Sequence, residues 1–326
     1  MSRPRVFVTQ PIAPSALRRL EARAEVALHD DPLRVLTTPE LVAGVREADY
    51  LLCLLQDRVD AEVIAAAPRL RGIASMTIVP ADIDLAAATA RGIPVTVIPP
   101  IVTEATADLT LALLLAVARR VVEADRLVRA GTFPGAQSRA LEGRAVAGAT
   151  LGLVGCGRVG QAVARRARGF GMRILYCDPR RLPDADEHAL GLEYRPFERV
   201  LAEADFVSVH AALTPATRHL IDAAALDRMK PTAYLINTAR GPIVDERALV
   251  QALRAGRIAG AALDVFEHEP HPDPALLALP NVVLTPHIGS ADAALRERMA
   301  HLVVDNLLAI MDGRRPPHCA NPEVYG

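Results

Sequence analysis

Short apolar runs recur along the first hundred residues, with amphipathic stretches between them. VFVT at 6–9, YLLCLL at 50–55, GIASM at 72–76 and PVTVI at 94–98 are continuous rather than alternating, the pattern of strands buried on both faces. Between them, 14–24 and 38–48 carry helical spacing, the second opening on Thr38 and Pro39 as cap and first-turn residues. Alternating strands and helices predict a parallel sheet covered on both sides. Pro99 and Pro100 interrupt this rhythm, and the Ala/Leu-rich segment 103–130 is predicted as a long helix that bridges domains or subunits. After the loop-like stretch 131–143 the alternation resumes: TLGLV at 150–154, RILYC at 173–177, FVSVH at 206–210, AYLIN at 233–237, GAALDVF at 260–266 and VVLTPH at 282–287. These runs predict a second open α/β sheet. A final helical pattern, 291–312, has no strand of its own and is expected to return to the first domain.

Composition narrows the picture. A chain of 326 residues is about two domains long at roughly 150 residues each. With 51% hydrophobic and 23% charged residues it folds rather than remaining disordered. The 37 basic and 38 acidic side chains leave a net charge of −1, so no whole-chain field attracts nucleic acid or anionic lipid. Aromatic residues make up only 3%, with no Trp, which argues against base-stacking platforms and aromatic sugar shelves. The apolar run 111–118 falls well short of the roughly 20 residues that cross a bilayer. The N-terminus enters a strand-like run with no signal-type segment, and Cys53, Cys156, Cys177 and Cys319 are far apart with no C-x-x-C. The expectation is a cytoplasmic protein with free thiols and no metal site.

Chemistry enters at GCGRVG, 155–160. Gly155, Gly157 and Gly160 occupy the positions where a tight turn, the approach of a pyrophosphate and close helix packing each exclude a side chain. The motif follows an apolar strand and opens a helical segment, so amides at a helix N-terminus can face a diphosphate. The next strand ends in Asp178, placed to accept hydrogen bonds from the adenosine ribose hydroxyls and to repel a 2′-phosphate. NAD is therefore expected rather than NADP, with Arg180 and Arg181 as the pair that could instead neutralise such a phosphate.

Three polar residues fall at or just beyond the carboxyl ends of later predicted strands: Arg240, Glu269 and His287. Ligands of open α/β sheets bind at that edge. A guanidinium pairs bidentately with a carboxylate, and an imidazolium protonates a carbonyl oxygen while a dihydronicotinamide supplies hydride. A carboxylate within about 4–6 Å would favour the charged imidazole and lift it from its ordinary ~6.5 toward neutrality.

Together GCGRVG, NTARGPIVDE (237–246), GAALDVFEHEP (260–270) and TPHIGSA (285–291) resemble the D-isomer-specific 2-hydroxyacid dehydrogenases over nearly the whole chain. That family includes glyoxylate and hydroxypyruvate reductases, phosphoglycerate dehydrogenase, phosphite dehydrogenase and a corepressor branch. The resemblance implies a Rossmann NAD-binding domain, 101–289, inserted in a flavodoxin-like substrate domain, 1–100 plus 290–326, with the cleft between them. It implies a homodimer formed through the NAD lobe, with 103–130 as its interface helix. It also implies Arg240 as substrate anchor, Glu269 rather than Glu267 as partner of the acid/base His287, and Thr103, Arg158, Val159, His210, Thr238, Asp264 and Gly289 along the cofactor. The substrate loop departs from the family. Ile78 and Val79 are its expected substrate contacts, but Val79 or Pro80 stands where relatives commonly have Gly, and Val97 and Pro100 replace the usual Asn and Gly. The expected activity is hydride transfer between NAD and a small 2-oxo acid/D-2-hydroxy acid pair; phosphite oxidation or a dinucleotide-sensing, corepressor-like role are the alternatives.

Overall fold

The computed structural model describes residues 3–80 and 82–326. They divide into two compact units, one reaching Ile101 and resuming at Ala291–Gly326, the other Val102–Ser290. The first holds strands β1 (Arg5–Val8), β2 (Glu25–Leu28), β3 (Tyr50–Cys53), β4 (Ile73–Ser75) and β5 (Val95–Thr96), all parallel in the order β2-β1-β3-β4-β5. This is the flavodoxin-like order. Strand β2, EVAL, is absent from the sequence-based prediction because it is an edge strand with alternating exposed and half-buried positions. Its charged first residue and half-exposed positions leave no continuous apolar run.

Helix Thr38–Val45 is capped by Thr37 rather than Thr38. Glu40 at the third helical position accepts the Thr37 amide at 2.8 Å, closing a capping box that selects the earlier threonine. The last helix, Ala293–Met311, packs within this unit against helix Pro14–Glu21 and β4, and buries Met299, Val303, Val304 and Leu307. Beyond it, the side chain of Asn321 accepts the Val95 amide at 2.8 Å and donates to Thr89 Oγ1 at 3.0 Å and the Ile93 carbonyl at 2.9 Å. The chain end is thereby tied to the β5 edge.

The second unit holds β6 (Thr150–Val154), β7 (Arg173–Cys177), β8 (Leu192–Tyr194), β9 (Phe206–Val209), β10 (Tyr234–Asn237), β11 (Gly260–Leu263) and β12 (Val282–Leu284). All are parallel, ordered β12-β11-β10-β9-β6-β7-β8. Strand order reverses between β6 and β9, the arrangement of a Rossmann sheet. Successive side chains feed two cores. Phe206, Leu151 and Tyr176 pack on one side with Leu111, Leu114 and Val163, whereas Val207, Leu175 and Leu235 pack on the other with Leu226 and Leu249. That double burial is why these strands read as unbroken apolar runs.

The segment expected as one long helix is two, Thr103–Ala118 and Val121–Arg129, broken where Arg120 adopts φ 51°. The Ala118 carbonyl accepts the Arg144 amide at 2.7 Å, and a Cβ on Gly143 would lie 2.3 Å from that same carbonyl oxygen. A distant strand of chain thus caps the first helix, a contact that local periodicity cannot announce.

Replacing Asn321 with Ala strands a buried amide and a buried carbonyl, so unfolding free energy should fall by about 2–4 kcal/mol. Chemical denaturation of the variant checks this; a change below ~1 kcal/mol would show that the tail does not brace the sheet.

Candidate active site

The loop after β6 is shaped by its glycines. Gly155 has φ 92°, and a Cβ there would lie 2.6 Å from the Ala211 amide nitrogen, so the turn and its close approach to β9 both require glycine. A Cβ on Gly160 would sit 2.6 Å from the Gly155 carbonyl oxygen, which seats helix Arg158–Ala167 against the loop. Nothing approaches within 4 Å of the Cβ position of Gly157, the helix N-cap, whose side does not cap the first amides. Space and uncapped donors coincide there, as an incoming diphosphate requires. Arg158 is exposed and Val159 half-buried in the first helical turn.

Asp178 closes the loop from β7: its Oδ2 accepts the Cys156 amide at 2.9 Å and its Oδ1 the Arg180 amide at 3.0 Å. Arg181, in contrast, is committed elsewhere. It grips both carboxylate oxygens of Glu187 at 2.9 and 2.8 Å and lies over the Tyr194 ring. That guanidinium, with the Tyr176 hydroxyl at 2.6 Å, holds the Glu187 carboxyl down at about 2. Burial pushes the Cys156 and Cys177 thiols up to about 12, so neither supplies a thiolate beside the loop. At the end of β9, His210 Nε2 meets Ser208 Oγ at 2.8 Å while Nδ1 is buried without a hydrogen-bond partner among the described residues. Burial lowers His210 to about 4, leaving a neutral ring with an unspent nitrogen beside the glycine loop. Uncapped amides, an open glycine and an orphaned nitrogen at one switch point fit a dinucleotide.

Asp264, buried after β11, accepts Thr285 Oγ1 at 2.6 Å and the amides of Ile288 and Gly289 at 2.8 Å each. Burial raises its carboxyl above the usual range, and these donors pull against that rise. Thr106 donates to the Gly289 carbonyl at 3.2 Å, and Thr110 Oγ1 meets Thr238 Oγ1 at 2.8 Å. Helix Thr103–Ala118 is therefore anchored to Thr238 and Gly289 through Thr110 and Thr106, with Thr103 at its first position.

His287 and Glu269 come together directly: Nδ1 and Oε2 are 2.7 Å apart, with the side chains 19% and 20% exposed. A carboxylate only accepts, so the shared proton belongs on Nδ1, and Nε2 is the nitrogen left to exchange one. Glu269 is fixed from the other side by the Phe266 amide, 3.0 Å from Oε1. His287 has φ 53°, with its amide donating to the Asp264 carbonyl at 2.8 Å. A non-glycine residue is held in that region only where its surroundings impose it. Arg240 is exposed in extended backbone, and its Nη1 donates to the Ala239 carbonyl at 2.7 Å. Asn237 shapes its turn, accepting the Ala239 amide and donating to the Arg240 carbonyl, both at 3.0 Å.

What brings Arg240 beside the Glu269 loop is Gly241, a residue that sequence reasoning did not single out. A Cβ there would lie 1.8 Å from the Phe266 carbonyl oxygen and 2.5 Å from the Glu267 nitrogen. Two backbones touch, and only glycine permits it. Thr285, Asn237 and Glu246 were missed as well, because their role is to order loops through contacts remote in sequence. In the first unit, Ile78 is half-buried and Val79 54% exposed on the loop after β4. Thr77 Oγ1 donates to the Val79 carbonyl at 3.0 Å and meets Ser75 Oγ at 2.7 Å.

Residues 111–289 match the family model described as "D-isomer specific 2-hydroxyacid dehydrogenase, NAD binding domain". The chain is 50% identical to a glyoxylate reductase of Korarchaeum cryptofilum over 324 residues, 99% of this chain and 97% of the relative. It is 48% identical to the glyoxylate reductase of Thermococcus litoralis, covering 99% and 98%. Among solved structures, a Thermus thermophilus protein superposes with a TM-score of 0.87 at 48% identity over 97% of this chain and 99% of that one. An NADPH-dependent glyoxylate/hydroxypyruvate reductase of Sinorhizobium meliloti, solved with NADP and malonate, gives 0.80 at 34% identity over 98% and 97%.

His210 titrates near pH 6.5 when unfolded but only near 4 in the fold. Between these values the unfolded chain binds more protons, so this contribution to stability is full above pH 6.5 and is lost as pH falls toward 4. Unfolding free energies of the wild type and His210→Asn across that range should therefore show the steeper acid loss in the wild type. Parallel curves would contradict a buried neutral His210.

Proposed function

The chain belongs to the D-isomer-specific 2-hydroxyacid dehydrogenase family, and on that premise we propose that it is an NAD-dependent reductase of a small 2-oxo acid, glyoxylate or hydroxypyruvate in kind, yielding the D-2-hydroxy acid. The observation that carries this reading is the 2.7 Å contact of His287 Nδ1 with Glu269 Oε2, because it leaves Nε2 as the proton-exchanging atom at the carboxyl edge of the sheet. The amides after Gly157, Asp178, His210, Thr238 and the Asp264 and Gly289 loops would hold the dinucleotide, with Thr103, Arg158 and Val159 beside them. When bound, it supplies the hydride in reduction and accepts it in oxidation. Arg240 pairs its guanidinium with the substrate carboxylate, which fixes the 2-oxo group in orientation. His287 gives the Nε2 proton to the carbonyl oxygen, and Glu269 stabilises the imidazolium before transfer and keeps the remaining proton on Nδ1. Ile78 and Val79 are assigned to substrate contact. Preference for NAD over NADP is supported by the Asp178 carboxylate and by the commitment of Arg181 to Glu187, which takes one of the two candidate phosphate-binding cations out of play.

The same reading includes a cytoplasmic homodimer that requires no nucleic acid. Among the described residues no helix is long and apolar enough to cross a membrane. Helix Val121–Arg129 buries none of its residues, and Val121, Val128 and, just beyond it, Phe133 are 53%, 58% and 69% exposed. Apolar side chains left in the open along one segment suit a partner copy.

His287→Ala should lower kcat about 10²–10⁴-fold with the NADH dissociation constant within about twofold of wild type. Glu269→Gln should lower kcat about 10–100-fold with unchanged NADH affinity. Stopped-flow turnover and fluorescence titration check both, and equal loss of binding and turnover would make His287 merely structural. In sedimentation velocity, the pair Val128→Asp and Phe133→Ser should convert a dimer to a monomer; a wild type that already sediments as a monomer would dispose of the assembly.

A further inference from the structure

The EHEP segment holds two glutamates, and the structure gives each its own histidine. Glu269 meets His287, whereas Glu267 Oε1 lies 2.6 Å from His219 Nε2 and 3.3 Å from Arg218 Nη2. The Glu267 side chain is only 11% exposed. Its other oxygen accepts the Glu246 amide at 3.4 Å, and in return Glu246 accepts the Glu267 amide at 3.0 Å and the Asp273 amide at 2.6 Å. His219 also acts through its backbone, since its amide donates to the Pro242 carbonyl at 2.9 Å and it stands at φ 52°. Two residues on, Ile221 bridges Val244, with its amide on the Ile243 carbonyl at 3.0 Å.

His219 thus touches two segments at once. Its main chain holds Pro242, two residues after Arg240, and its ring holds Glu267, two residues before Glu269. Those segments are already in backbone contact at Gly241. We propose that His219 and Glu267 are a positioning pair for the reaction: the imidazole–carboxylate contact sets the loop that presents Glu269 to His287 against the turn that presents Arg240. Neither residue touches substrate. The strained backbone of His219 accords with a residue held by tertiary contacts on both sides. Loosening such a support by about 1 Å costs rate rather than cofactor affinity, because the misplaced groups serve the transition state.

This inference rests on the catalytic reading of Arg240, Glu269 and His287, and the test separates the two. His219→Ala should lower kcat about tenfold or more, with KM for glyoxylate changed less than kcat and the NADH dissociation constant within twofold. His219→Gln, which has the same backbone requirement but retains an N–H donor for Glu267, should recover kcat to within about threefold of wild type. Glu267→Gln combined with His219→Ala should be no worse than the more impaired single variant, the non-additivity expected of a contacting pair. The pair is refuted by wild-type kcat in His219→Ala, by strictly additive losses, or by Ala and Gln variants that lose kcat, melting temperature and NADH binding together. Full turnover in His287→Ala would overturn the catalytic reading instead, whatever His219 does.

Discussion

A backbone-to-backbone contact governs the geometry of the candidate site. The turn after β10 and the loop after β11 meet where Gly241 lies against Phe266 and Glu267, closer than any side chain would permit. Two parallel strands deliver their chain ends side by side, but only this contact brings the Arg240 turn against the loop that holds Glu269. The same touching segment also fixes Glu269 for its 2.7 Å contact with His287, since the Phe266 amide holds the other carboxylate oxygen. Without the close approach, the turn that carries Arg240 would not seat against the loop that carries Glu269.

Around that contact, loops are ordered by carboxylates that accept backbone amides. Asp264 takes the amides of Ile288 and Gly289, Glu246 those of Glu267 and Asp273, and Asp178 those of Cys156 and Arg180. A loop has N–H groups with no ladder to join, and a partly buried carboxylate satisfies two or three of them with charge-assisted bonds. The acidic residues at the strand ends are thus divided by labour. Asp178 and Asp264 order the loops after β6 and β12, Glu246 and Glu267 tie together the loops after β10 and β11, and in the proposed reaction Glu269 alone faces the acid/base. EHEP is two different instruments within four residues, distinguished by which histidine each glutamate reaches.

The proposed preference for NAD has the same character. Arg180 and Arg181 are equivalent in the sequence as answers to a 2′-phosphate, yet Arg181 is bound bidentately to Glu187, itself hydrogen-bonded to Tyr176. Affinity for a phosphate depends on the cation being available, and pairing with a carboxylate removes it from that role. Charge composition near a site is therefore a poor guide until partners are known.

Much was legible from local order. Strands buried on both faces read as apolar runs, so ten of the strands announced themselves, and the spacing of Gly155, Gly157 and Gly160 ahead of Asp178 specified a phosphate loop because each glycine answers a local steric demand. Strands β2 and β8 were silent since each is short, carries a glutamate and leaves positions half-buried or exposed, so no continuous apolar run marks it. The break at Arg120 and the glycine at 241 were silent for another reason: what demands them is a carbonyl or an amide from a remote part of the chain. The sequence by itself determined which elements form and which chemistry stands at their carboxyl ends, because those follow from periodicity and residue type. Tertiary structure alone decided that Glu267 meets His219 and that Arg181 rather than Arg180 pairs with Glu187, because such pairings depend on distances between segments that covalent order does not set.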